Sequence, residues 1–139
     1  MAALQTRIAT ATVNAQATTL STLCNSGIIR IYEGAQPATA DTAPTGTLAV
    51  TLAFNATAFG APNDGLLTAN AITSGVAVQP FTGSPDGWAR ILKSDTTTTV
   101  FDVSAGPSGC NLTIGAFTAG TTVTCSAFTH DVLNMSSGL

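Results

Sequence analysis

The stretch Leu20-Ser21-Thr22-Leu23-Cys24-Asn25-Ser26-Gly27-Ile28-Ile29-Arg30-Ile31-Tyr32-Glu33 decides the fold, because the period of the apolar residues changes inside it. On its N-terminal side Val13, Ala17, Leu20 and Cys24 recur at i, i+4, i+7 and i+11, one face of a helix, and residues 1–26 contain neither Gly nor Pro. Asn25-Ser26-Gly27 supplies a C-terminal stop. The spacing predicts a helix over about residues 12–24, preceded by a looser arm carrying Leu4 and Ile8. From Gly27 onward the period is two.

Ile28–Glu33 reads as a strand, and in Thr47–Ala53 Leu48, Val50 and Leu52 fall on one face with Thr and Ala on the other. Further strands are expected at 54–59, 66–72, 75–81, 87–93, 98–104, 110–114 and 121–129. Between them Asn63-Asp64-Gly65, Ser84-Pro85-Asp86-Gly87, Gly106-Pro107-Ser108-Gly109 and Ala119-Gly120 offer turn chemistry. Short strands at this spacing imply a sandwich or barrel. The chain divides into an N-terminal arm and helix (1–26), a β-domain (27–130) and a C-terminal tail (131–139). Gly34–Gly46, with Pro37, Asp41 and Pro44, is read as a long loop across one end of the β-domain or a partner-binding segment. Gly27-Ile28-Ile29-Arg30-Ile31 echoes Gly87-Trp88-Ala89-Arg90-Ile91, which is read as two similar amphipathic strands.

Composition narrows the chemistry. Of 139 residues 25 are Thr and 23 Ala, 8% are charged, and one is His, which leaves little material for acid–base or metal work. The cations Arg7, Arg30, Arg90 and Lys93 form no basic stripe and the net charge is −3, so no nucleic-acid binding is expected. No apolar run reaches the roughly 20 residues of a membrane helix. Polar Thr10, Thr12, Asn14 and Gln16 interrupt the segment after Arg7, so neither a membrane span nor a secretory signal is expected. Cys24, Cys110 and Cys125 cannot all pair within one chain; buried free thiols are expected, with a Cys110–Cys125 bridge the alternative for an exported protein. Three glycosylation sequons, at Asn55, Asn111 and Asn134, are short enough to arise by chance in a Thr-rich chain.

Candidate sites are correspondingly weak. His130 and Asp131 are neighbours on an extended chain and point to opposite faces, so the pair is a poor dyad, and no Gly-x-Ser-x-Gly elbow accompanies it. Among Glu33, Asp41, Asp64, Asp86, Asp95, Asp102 and Asp131, Asp102 alone sits inside an apolar strand, where it is expected to face solvent. Metal-ligand spacings are missing, although calcium held between loops by Asp41, Asp64 or Asp86 stays open. Trp88 and Tyr32 lie beside arginines in apolar strands and are expected to pack, with a sugar-stacking platform the alternative. No catalytic, cofactor or metal residue is therefore assigned.

One resemblance spans about residues 15–130. Leu20 to Gly27, Ile28 to Gly34, Ala35 to Asp41 and Gly46 to Leu52 follow one another in a pattern similar to small proteins encoded among the head genes of tailed phages. Trp88 to Asp95 with Val100-Phe101-Asp102, and Ala119 to Val123, resemble the central and last hairpins of that family. It is the family of capsid cement, or decoration, proteins of the jelly-roll type found in a Bordetella podophage. The arm before residue 12 departs from its shorter start. The resemblance implies an antiparallel jelly-roll-like β-sandwich with a short N-terminal α-helix, and a non-enzymatic virion protein on the outside of an HK97-type capsid. It further implies assembly in the bacterial host cytoplasm, with the phage major capsid protein as partner. The apolar helical face and the many short strands predict a small homo-oligomer, most simply a dimer, through residues 1–26 or an exposed sheet edge. The alternatives from other classes are a carbohydrate-binding jelly roll of a tail fibre or adhesin, with Trp88 or Tyr32 exposed, and a tail-tube or pilin-like assembly subunit.

Overall fold

A computed structural model describes residues 8–83 and 86–132 of the chain. Leu4 and the first part of the arm, the Ser84-Pro85 half of one expected turn, the Asn134 sequon and nearly all of the expected tail lie outside the described residues.

The helix α1 runs Thr10–Cys24, two residues longer at its start than its apolar spacing suggests. Its threonines are accommodated by turning back on the helix: Thr18 and Thr22 hydroxyls donate to the Asn14 and Thr18 carbonyls at 2.9 Å, and Thr19 to Ala15 at 3.2 Å. Val13, Ala17 and Cys24 are buried and Leu20 packs against the same core. The apolar face expected to meet a partner is thus covered by the chain's own sheet. Two asparagines fasten the helix: Asn14 Oδ1 accepts from Gly65 N at 2.9 Å and Asn25 Oδ1 from Ala58 N at 2.8 Å. Gly27 then passes so close to Leu92 that a Cβ would stand 2.3 Å from its carbonyl oxygen, which explains the glycine at the helix-to-strand switch.

Among the described residues nine strands follow: β1 Ile28–Glu33, β2 Thr47–Ala53, β3 Leu66–Thr68, β4 Gly75–Val76, β5 Gly87–Leu92, β6 Thr99–Gly106, β7 Leu112–Thr113, β8 Thr122–Val123 and β9 Ala127–Asp131. Seven form one sheet in the order β2-β1-β5-β6-β7-β9-β3, while β4 and β8 pair as a separate ribbon. The fold is mainly β with one N-terminal helix, a β-sandwich as expected. Its pairings are antiparallel except for the two-residue contact of β6 with β7. Expected strand 121–129 is two strands, and 54–59 is irregular, touching the sheet through the single bridge Phe59↔Ala69. β9 extends through Asp131, one residue past the expected domain boundary.

Both edges of the large sheet are covered by the chain itself. Beyond β2, Ala53 and Thr73 exchange backbone hydrogen bonds, and Val78 N donates to Ala49 O at 2.8 Å. Beyond β3, Gly60 N donates to Thr68 O and Asn70 N to Ala58 O. The turn between them is a two-residue one, with Asn63 and Leu66 bonded and Asp64 and Gly65 both at positive φ. The ribbon continues past its short strands, since Ala77 N donates to Thr121 O and Phe81 pairs with Phe117, their rings stacked at 5.3 Å.

A bulge at Ala49 corrects one expectation. Ile31 pairs with Val50 but Tyr32 with Leu48, so Ala49 is the extra residue, and Leu48 moves to the face opposite Val50 and Leu52. The inner face carries Ile29, Ile31, Val50, Leu52, Ala89, Ile91 and Val103, all buried. Phe54, Phe59 and Phe128 complete the core, with centroids 5.4–5.8 Å apart. A few aromatic contacts join many aliphatic ones, each stabilising by about 0.1–0.2 kcal/mol per atom pair.

Candidate functional site

The polar chemistry of the molecule gathers on the outer face of β1, β5 and β6. There Arg30, Arg90 and Asp102 lie directly across from one another, and Tyr32, Trp88 and Ser104 form the next row. Arg90 and Asp102 make a two-pronged ion pair, Nε to Oδ1 at 2.8 Å and Nη2 to Oδ2 at 2.9 Å, with side chains 6% and 3% exposed. Asp102 is therefore buried and paired, where the alternating pattern of its strand predicts a solvent-facing residue. Strand alternation counts two faces, and here both are covered. The hydrogen bonds that Arg90 donates to Asp102 hold its guanidinium above its ordinary pKa, against the effect of burial, and the charge of Asp41 adds to them. Asp41 belongs to the irregular Gly34–Gly46 segment.

Tyr32 and Trp88 stack on each other with centroids 4.6 Å apart, and the Arg90 guanidinium carbon stands 5.3 Å from the Trp88 ring. They are 7% and 1% exposed. No sugar ring reaches them in this state, and Trp88 Nε1 is buried without a hydrogen-bond partner. The row ends in a network that ties three strands together. Asn111 N donates to Ser104 Oγ at 3.0 Å, Ser104 Oγ donates to Asn111 Oδ1 at 3.1 Å, and Asn111 Nδ2 donates to Thr129 O at 3.2 Å.

Other carboxylates are committed to loops. Glu33 accepts from Thr82 N at 2.6 Å, Thr82 Oγ1 at 2.8 Å and Gly83 N at 3.3 Å, fixing the start of the long loop to the end of the ribbon. Asp95 accepts from Thr97 N, Thr98 N and the Thr98 hydroxyl, which hold its carboxyl well below the ordinary carboxylate range. Asp64 occupies its turn. Among the described residues no three His, Cys, Asp or Glu side chains gather as a metal site.

His130 sits in β9 opposite Leu67, its ring 4.7 Å from that of Phe101 and its Nδ1 buried without a partner. Burial lowers its pKa, and the charge of neighbouring Asp131 opposes this. The thiols are free. Cys24 is buried and its pKa is pushed up to about 12 by desolvation. Cys110 and Cys125 are half-exposed, not buried as expected, and they precede β7 and β9 in loops. The Cys125 thiol is also raised by burial and donates to Ala127 O at 3.3 Å. Beside it a shallow cleft of about 140 Å³ opens where residues 69–72 splay from 125–128. Its lining of Ala69, Asn70, Ala71, Ile72, Cys125, Ser126, Ala127 and Phe128 holds no ionisable group besides the thiol.

What remains for function is surface. Stretches 65–85 and 103–129, which carry β3, β4, β7, β8, the end of β6 and most of β9, contain no charged residue. Within them Val76 and Val78 are 62% and 61% exposed, the most exposed large apolar residues described. Periodicity reasoning missed this pair because it reads apolar alternation as core. No described helix is long and apolar enough to cross a membrane. Comparison of the chain with protein-family models, with curated proteins and with solved structures finds no match.

Proposed function

We propose that this chain is a non-enzymatic virion structural protein. In this reading it binds the outside of an HK97-type tailed-phage capsid as a small homo-oligomer, cements neighbouring major capsid protein subunits, and stabilises the expanded, DNA-filled head. The observation that carries the reading is the division of labour among polar groups. Arg90, Asp102, Glu33, Asp95, Asn14, Asn25 and Asn111 are engaged in holding strands and loops together, while the outer surface of the ribbon is Thr, Ala and Val without charge. Such a rigid body supplies binding free energy and no reaction step, and it adheres by shape and neutral hydrogen bonds. That energy stabilises whichever lattice presents its sites at matching spacing.

A carbohydrate-binding reading requires Trp88 or Tyr32 at the surface, and their 1% and 7% exposure removes its platform. Pull-down of the purified chain with expanded and unexpanded shells tests the proposal. Binding is expected to expanded shells preferentially, and heads lacking the protein are expected to release DNA at lower temperature. Equal binding to both shells, or to neither, overturns it, as does spontaneous assembly of the chain into long tubes.

A further inference from the structure

Thr51, Arg30, Arg90 and Asp102 stand directly across from one another on β2, β1, β5 and β6, so one row of the outer face holds two arginines and a single carboxylate. Arg90 grips both oxygens of that carboxylate and leaves none for its neighbour. Among the described residues Arg30 makes no side-chain hydrogen bond and no ion pair. Like charges facing each other across strands oppose their pairing, and nothing inside the sheet offsets this one.

Donors outnumber acceptors in the row. Of the five N–H groups of Arg90, two go to Asp102. The buried polar side-chain atoms left without a partner among the described residues are Trp88 Nε1 and His130 Nδ1, so Arg90 Nη1, which has no partner either, still meets solvent. Arg30 is half-buried and Thr51 exposed, which opens the row at its β2 end. The Arg30 fork, Arg90 Nη1 and the Thr51 hydroxyl therefore face an absent acceptor. A planar carboxylate, which only accepts, matches a guanidinium fork in two parallel bonds. Charge limits the ligand further. Arg30 and Arg90 are balanced by Asp102 and by Asp41, whose charge acts on Arg90. A monoanion adds one negative charge to that balance and a dianion two, which favours a carboxylate over phosphate or sulfate.

We propose that this row binds the carboxylate of a small organic acid, held by the Arg30 fork with the Thr51 hydroxyl and Arg90 Nη1 on either side. The site stands apart from the capsid reading and does not depend on it.

Arginine Nε–H resonances of the isotope-labelled full chain test this, because the three arginines are Arg7, Arg30 and Arg90 and Arg7 is not part of the row. Acetate is titrated at constant ionic strength against chloride. The Arg30 and Arg90 signals are expected to follow saturable curves, half-complete at about millimolar acetate, while Arg7 stays still. Arg30→Gln is expected to weaken the Arg90 response about tenfold or more at an unchanged thermal midpoint, since Arg30 supports no internal bond. Arg30→Lys keeps the charge without the fork and should fall between the two. Asp41→Asn should tighten binding, and capsid binding should be the same in every variant. An unsaturated drift shared by all three arginines is screening alone and overturns the site. Tighter binding of sulfate than of acetate overturns the ligand class. If both Arg30 variants melt well below wild type yet keep the Arg90 response, Arg30 is structural and the site fails. Loss of capsid binding in Arg30→Gln gives the row to an acid of the coat protein and overturns the small-ligand assignment.

Discussion

Arg90 and Asp102 form a buried ion pair in the middle of the outer face, and its energetics are asymmetric. Removing one partner leaves an uncompensated charge, whereas replacing both with apolar groups of similar volume removes two desolvation penalties together. Asp102→Asn is expected to lower unfolding free energy by about 3–5 kcal/mol in urea titration, and Arg90→Met with Asp102→Leu to recover most of that loss. A double variant as unstable as the single one would show that the ion pair itself, and not the uncompensated charge, carries the stability. His130 behaves differently. Its folded pKa lies below the ordinary 6.5, so the unfolded chain takes up a proton first as pH falls. Stability present above about pH 6.5 should therefore decline through the range below it, and His130→Gln should flatten that decline. The contribution of Asp95 is present above its ordinary 3.8 and is lost as pH falls from there toward its depressed folded value, so the two phases separate in pH-dependent melting curves.

At the level of elements, the long loop closes through two glycines in contact. Gly46 has φ +87, and a Cβ there would lie 2.2 Å from Glu33 O. Gly120 has a similar φ of +85 but open space around it. Gly120→Ala is expected to cost about 1–2 kcal/mol for the left-handed conformation alone, and Gly46→Ala clearly more, because a backbone atom must move as well. Thermal melts of the two variants compare them directly; equal losses would show that the loop base yields freely. The elements with uninterrupted periodicity were legible in the sequence: α1 by Val13, Ala17 and Cys24, β1 by Ile29 and Ile31, β5 by Ala89 and Ile91. What was hidden depends on contacts between distant segments. Nothing local marks Ala49 as a bulge, since Leu48, Val50 and Leu52 alternate perfectly until Val78 and Gln79 claim the Ala49 carbonyl. The burial of Asp102 and Trp88 depends on the covering of a second face. The division of 121–129 follows from β8 joining the ribbon and β9 the sheet.

For the whole molecule, the sparse charge sets how it meets other surfaces. With so few ions outside internal pairs, capsid binding in the proposed role is expected to change little, about twofold or less, between low and high salt, because screening acts on exposed charge. A steep salt dependence would mean that Arg30 or the exposed acids carry the contact. The strand order has a further consequence, in time rather than space. β1 is made early in synthesis but pairs with β5, more than fifty residues later, and β3 completes the opposite end by pairing with β9, the last strand described. The helix that leads the chain packs against β3 and β6 and so waits with them. Such long loop closures precede any gain in contacts and place folding in the milliseconds-to-seconds range. The helix and β1 therefore reach their final partners only after β5 and β6 have been made, and the sheet closes only when β9 joins it.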